Sequence, residues 1–81
     1  MGAVRFAGIV FIARPLDHTP PHVHAITGSG EVIIELLGNG SVRLDLRKDA
    51  VRGAKTSDVR RVLKAANSIH ARLVKLWEDA H

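Results

Sequence analysis

The alternation of apolar and polar residues predicts β-strands in the first half of the chain. The first candidate is rich in Val, Ile and Phe and apolar on both faces, as is typical of a strand covered on both sides. Later candidates alternate more regularly, and Gly-rich turns separate them, including the hairpin signal Asn39-Gly40. We therefore predict a four-stranded antiparallel meander with strands at about residues 4–14, 22–27, 31–37 and 41–47.

The last third of the chain has the apolar spacing of a helix. Thr56 or Ser57 provides a candidate N-cap, and Asp58 places negative charge at the positive end of the helix dipole. A single helix over about residues 57–78 is predicted to pack on one face of the sheet. Its apolar positions recur with i, i+3, i+4 spacing at Val59, Val62, Leu63, Ala66, Ile69, Leu73 and Leu76.

These elements predict one α+β domain over residues 1–81, because 81 residues suffice for a single small core. One helix covers only one face of a sheet. Ile33 and Leu37 on the other face would then be exposed, which predicts a homodimer or a partner that covers them.

Composition restricts the classes of function. The chain has no cysteine, which excludes disulfides, thiolate zinc sites and thiol nucleophiles. It has no apolar run near the about 20 residues that span a bilayer, so no membrane partner is predicted. The beginning of the sequence lacks the pattern of an export signal, and we expect a cytoplasmic location.

The positive charge is concentrated in residues 47–75, which contain nine basic and two acidic residues. Such a segment can contact phosphates or an acidic protein, or it can be a solvated helix face. Because no aromatic residues are interleaved, contact with an RNA backbone is favoured over base recognition. The candidate nucleic-acid-binding residues are Arg47, Lys48, Arg52, Lys55, Arg60, Arg61 and Lys64.

A histidine cluster at residues 17–24 carries the candidate chemistry. His22 and His24 are two residues apart on a predicted strand and so share a face, and His18 precedes a rigid Pro-Pro pair. With His18 or Asp17 as a third ligand, the pair could bind a divalent ion such as Zn²⁺ or Ni²⁺. Alternatively, the histidines could act as general acid and base on RNA, or could be structural, with Asp17 forming an Asx turn.

Two residues of the predicted helix have both structural and functional interpretations. His70 lies at the edge of the apolar stripe, where it could join His22 and His24 or turn its polar edge to water; the structural interpretation is favoured. Trp77 ends the stripe and is most simply a core residue, with base stacking as the alternative.

The segment Asp17-His18-Thr19-Pro20-Pro21-His22-Val23-His24 resembles the signature Asp-His-x-Pro-Pro-His-x-His of small bacterial proteins catalogued as domain of unknown function 4160. The ending Trp77-Glu78-Asp79-Ala80-His81 is also similar to the helix ending of that family. The resemblance implies a compact α+β fold, a toxin–antitoxin-like gene arrangement with a small cognate protein, and a site formed by Asp17, His18, His22 and His24. It implies no particular activity.

Three hypotheses of function follow. The first is a toxin–antitoxin-like protein that engages RNA, with His22, His24 and His18 as catalytic or phosphate-contacting residues of a ribonuclease and Asp17 orienting an imidazole. The second is a metal-binding module that uses His22, His24 and His18. The third is a non-catalytic interaction module.

Overall fold

A computed structural model describes residues 2–81, which form an antiparallel sheet and two helices. The sheet order is β1-β2-β3-β4-β5, and β6 pairs with β4. The elements are β1 (Ala3–Phe6), β2 (Ile9–Ile12), β3 (His22–Ile26), β4 (Glu31–Leu36), β5 (Val42–Leu44), β6 (Val51–Arg52), α1 (Thr56–Ser68) and α2 (His70–Ala80). The predicted α+β class is confirmed, but the four-strand count and the single helix are wrong.

The predicted first strand is a hairpin. Ala7 and Gly8 have φ angles of 54° and 75° and form a two-residue turn, so that Phe6 pairs with Ile9. Positive φ at both central positions suits the right-handed twist of the flanking strands. Because the apolar run continues through the turn, the pattern predicts one strand where there are two. Gly8 is the one residue of the run that indicates the turn.

The end of the predicted meander also differs. The strand predicted at 41–47 is shorter, Val42–Leu44, and β6 follows it at Val51–Arg52, where no element was predicted. Between them, segment 45–50 runs along β4: the Asp45 amide donates to the Ile33 carbonyl, and the Ile33 amide donates to the Ala50 carbonyl. These bonds satisfy the edge of β4 without regular strand geometry.

The predicted long helix divides at Ile69, whose φ and ψ are −118° and 28°. The Ser68 hydroxyl donates to the Lys64 carbonyl, a local bond that bends helices. Ile69 is itself buried, and the apolar spacing continues through it into α2. Periodicity alone therefore cannot detect this break.

The start of α1 is fixed by the β3–β4 turn rather than by its own cap. Lys55 is the N-cap residue and makes no side-chain cap bond, so the predicted cap from Thr56 or Ser57 is wrong. Instead the Ser29 hydroxyl donates to Asp58 and accepts a bond from the Lys55 amide. Asp58 also pairs with Arg61, whose guanidinium donates to the Ala7 carbonyl. The helix start is thus tied to both hairpins.

Both helices pack on one face of the sheet. Along each strand, successive side chains point alternately to this face and to the opposite one, as the two-residue strand period requires. The main contacts of the core are made by Ile9, Phe11, Val23, Ala25, Val32 and Ile34 of the sheet with Val62, Ala66, Leu73, Leu76 and Trp77 of the helices.

On the opposite face, Ile33 is fully buried and Leu37 is half-buried, so the prediction that both are exposed is wrong. Ile33 lies opposite His24 in the β3–β4 register, and Asp17 reaches over this face to contact that histidine. The segment between β2 and β3 therefore covers a region that the sequence pattern left exposed. No helix within residues 2–81 is long and apolar enough to cross a bilayer.

Candidate metal centre

Strand β3 directs two histidines away from the helices. Val23 and Ala25 belong to the core, so the alternating His22 and His24 lie on the other face. Both are almost fully buried, with 3% and 2% of their surface exposed. Buried imidazoles need partners for both ring nitrogens, and these partners define the site.

His24 lies between two carboxylates. Its Nδ1 atom donates to Glu31 Oε2 at 2.8 Å, and its Nε2 atom donates to Asp17 Oδ2 at 2.9 Å. A carboxylate oxygen thus lies within hydrogen-bonding distance of each ring nitrogen of His24. Glu31, which the sequence pattern did not identify as a site residue, is therefore a direct partner of the site.

His22 is held by backbone on one side and faces Asp17 on the other. Its Nδ1 atom donates to the Pro20 carbonyl at 2.9 Å, and its Nε2 atom lies 3.3 Å from Asp17 Oδ2. Arg47 Nη2 lies 3.5 Å from the same Nε2 atom. One carboxylate oxygen of Asp17 is thus shared by the Nε2 atoms of two histidines.

Asp17, His22 and His24 are close enough to hold a metal ion, because one ligand atom from each lies within 4.8 Å of the others. Two imidazole nitrogens and one carboxylate oxygen form a donor set that suits divalent transition metals. Each histidine also has its Nδ1 atom fixed by an oxygen acceptor. That outer bond is the usual support of a metal-binding imidazole.

The charge state of Asp17 agrees with this role. Partial burial raises the pKa of Asp17, but the hydrogen bond from His24 and the charges of His22 and His24 together lower it by more. Its pKa therefore lies below the ordinary value of 3.8. The carboxylate is ionised at neutral pH, as a ligand to a cation must be.

The end of α2 holds the Asp17 segment in place. The Nε2 atom of His81 lies 2.8 Å from the Asp17 carbonyl oxygen, and its Nδ1 atom lies 2.8 Å from the Trp77 carbonyl oxygen. The His81 ring also stacks on Trp77, with centroids 3.7 Å apart. Trp77 belongs to the core as predicted, yet its indole lies 5.3 Å from the His22 ring. Sequence reasoning missed His81, since 64 residues separate it from Asp17.

A groove of about 600 Å³ opens beside His22. Its walls are the segment before β3 and the segment after β5, and its lining includes Asp17, Glu35, Asp45 and Arg47. Burial raises the pKa of Asp45, but hydrogen bonds from the Arg47 backbone and guanidinium outweigh it, so its pKa lies below 3.8. The groove therefore presents three carboxylates beside one guanidinium, and two of the carboxylates are paired with arginines: Glu35 with Arg43 and Asp45 with Arg47.

The other predicted histidines lie outside the cluster. His18 lines the groove but is exposed and is not among the converging ligand atoms, so Asp17 takes the position that was assigned to His18 as a metal ligand. His70 bonds through Nε2 to the Leu37 carbonyl at 2.8 Å, in agreement with its structural interpretation.

The predicted nucleic-acid-binding residues do not form one surface with the histidines. Arg47 contacts His22, whereas Arg60, Arg61 and Lys64 lie on α1, which packs on the opposite face of the sheet. Arg52 pairs with Asp49 at 2.7 Å. Lys48 and Lys55 are exposed.

No protein-family model, curated protein or solved structure matches the chain. The resemblance to domain of unknown function 4160 therefore remains a prediction from the signature residues.

Proposed function

We propose that the protein binds one divalent transition-metal ion through Asp17 Oδ, His22 Nε2 and His24 Nε2. The observation that supports this most strongly is the arrangement of the outer bonds. Glu31 fixes the Nδ1 atom of His24, and the Pro20 carbonyl fixes that of His22. Both Nε2 atoms are thereby directed at the same oxygen of Asp17, where an ion would replace the hydrogen bond from His24.

The donor set narrows the choice of metal. Imidazole nitrogen and carboxylate oxygen suit Zn²⁺ and Ni²⁺, and the absence of cysteine from the sequence disfavours Cu⁺. Three protein ligands leave at least one position for water or a ligand on the groove side of the site. An ion held in this way acts as a Lewis acid and increases the acidity of bound water.

Metal binding to purified, untagged, chelator-treated protein tests this proposal. Isothermal titration with Zn²⁺ and Ni²⁺ should give one site per chain. The double variant His22→Ala/His24→Ala should lose that site, while His70→Ala should keep it because His70 bonds to Leu37 away from the cluster. Circular dichroism checks the folding of each variant. Unchanged binding by a folded double variant would overturn the proposal.

Engagement of RNA in a toxin–antitoxin-like module remains a second proposal. Its support is the contact between Arg47 and His22, which places one cation beside an imidazole. Against it stands the position of α1, with most of the basic helix residues, on the other face of the sheet. Cleavage of labelled total RNA, run with and without chelator and with the double variant, tests it directly.

A further inference from the structure

The orientation of Arg47 is set by its neighbour Asp45. Arg47 Nε donates to Asp45 Oδ1 at 2.9 Å, and the Arg47 amide donates to the same oxygen at 3.0 Å. The bond from Nε orients the guanidinium, and the bond from the amide holds Asp45 Oδ1 against the Arg47 backbone. Arg47 lines the groove, and 39% of its side chain is exposed. Arg47 therefore has donors available to a molecule in the groove.

Those donors lie beside the proposed metal position. Arg47 Nη2 is 3.5 Å from His22 Nε2, which is longer than a well-formed N–H···N bond and leaves that donor poorly satisfied. An oxygen bound to the ion on the groove side would come within reach of the guanidinium. A divalent ion and a guanidinium side by side select an anionic ligand with two oxygens, because a planar carboxylate can bind both.

Two exposed leucines border the same groove. Leu16 precedes Asp17 on one wall and is 88% exposed, and Leu46 precedes Arg47 on the other wall and is 79% exposed. Two exposed leucines in the lining of a groove beside a charged centre suit a ligand with an apolar part. They do not suit inorganic phosphate, which has no apolar surface.

We infer that the groove binds a small monocarboxylate with an aliphatic chain, with its carboxylate between the metal ion and Arg47 and its chain between Leu16 and Leu46. This inference rests on the proposed metal site. Arg47 is the residue that recognises the anion, and Asp45 is the residue that positions Arg47.

Titration of the Co²⁺-loaded protein tests this inference, because a carboxylate that joins the coordination sphere changes the visible spectrum of cobalt. The probes are 4-methylpentanoate, acetate and inorganic phosphate. We expect 4-methylpentanoate to bind about tenfold more tightly than acetate, since its chain loses apolar surface to the two leucines. Tighter binding of phosphate than of 4-methylpentanoate would overturn the inference.

Matched variants test separately how Arg47 and the two leucines contribute to ligand binding. Arg47→Gln should weaken both carboxylates about tenfold or more when they are titrated at saturating Co²⁺, where a change in metal affinity cannot cause the loss. Arg60→Gln is the control, because Arg60 is exposed on α1 and is not among the residues that line the groove. The double variant Leu16→Ser/Leu46→Ser should abolish the preference for the longer chain and leave acetate binding unchanged.

The outcomes distinguish this inference from the metal site. If Co²⁺ binds and no carboxylate alters its spectrum, the inference is wrong and the metal site stands. If Arg47→Gln and Arg60→Gln weaken the carboxylates equally, recognition by Arg47 is wrong. If the parent protein binds no Co²⁺, both the metal site and the inference are wrong.

Discussion

The Nδ1 atom of His24 lies 2.8 Å from Glu31 Oε2, although the β3–β4 register pairs Glu31 with Ile26. The bond is diagonal, across neighbouring strands and two residues along, a distance that a long side chain can reach. Arg14 approaches the other oxygen of Glu31 at 3.8 Å. Glu31 thus connects a buried imidazole to the surface of the protein.

This relationship predicts that Glu31→Gln weakens Zn²⁺ binding by about tenfold or more. The carboxylate orients His24 and increases the basicity of its Nε2 atom, and loss of such outer partners usually costs about 10–100-fold in metal affinity. Isothermal titration measures the change. Glu35→Gln is the control, because it removes the same charge from the same strand face, where Glu35 pairs with Arg43. Equal losses in both variants would show that only net charge matters.

His81 is predicted to support the site from a distance. His81→Ala removes the hydrogen bond to the Asp17 carbonyl and the stack on Trp77, so the Asp17 segment loses an anchor. One such bond contributes about 0.5–1.5 kcal/mol, which corresponds to a loss of up to about tenfold in Zn²⁺ affinity. His18→Ala, in the same segment as Asp17, should have no effect. A loss with His18→Ala and none with His81→Ala would reverse this assignment.

Gly30 is predicted to be essential for the junction between the β3–β4 turn and the start of α1. A Cβ atom there would overlap the backbone of Arg52, Gly53 and Ala54, none of which is a flexible side-chain end. Gly30→Ala should therefore lower the free energy of unfolding by about 1–3 kcal/mol. Gly28→Ala is the matched control, because nothing lies within 4 Å of its added Cβ atom. Urea denaturation compares the two, and equal midpoints would contradict the close packing of this junction.

The lowered pKa of Asp58 predicts that the stability of the fold depends on pH in acidic solution. The hydrogen bond from Ser29 lowers the pKa of Asp58, partial desolvation opposes it, and Arg61 and Lys55 lower the pKa further. Because the folded pKa is below 3.8, the carboxylate stabilises the fold above pH 3.8, and this contribution is lost as the pH falls through the folded pKa. Asp58→Asn should therefore be less stable than the parent at pH 7, and the difference should shrink in more acidic solution.

Urea denaturation at pH 7 and at successively lower pH measures this difference. Asp79→Asn is the control, since its carboxylate is mostly exposed and lies 3.8 Å from Lys75. A difference between parent and Asp58→Asn that stays constant from neutral to acidic pH would exclude the charge of Asp58 as its cause.

The sequence predicted those features that depend on local periodicity. Alternation placed His22 and His24 on one face, and helical spacing identified the apolar stripe that contains Leu73. The turn at Ala7 and the helix break at Ile69 were not predicted, because apolar residues continue through both.

The rest of the site depends on long-range contacts. Glu31 reaches His24 through a strand register that the turn at 28–30 sets, and His81 reaches Asp17 only after α2 has packed. The choice of Asp17 over His18 as the third ligand depends on the path of the segment before β3, which residue types do not specify.

The position of Trp77 makes its fluorescence a probe for a metal ion at His22. It is the single tryptophan of the chain, and its indole lies 5.3 Å from the ring of His22. A paramagnetic ion such as Ni²⁺ or Co²⁺ bound to that imidazole would quench the indole emission strongly at this separation, whereas diamagnetic Zn²⁺ would shift it without such quenching. Fluorescence of the unlabelled protein would therefore report an ion bound at the proposed site, and the contrast between the two kinds of ion would distinguish binding at His22 from binding elsewhere on the surface.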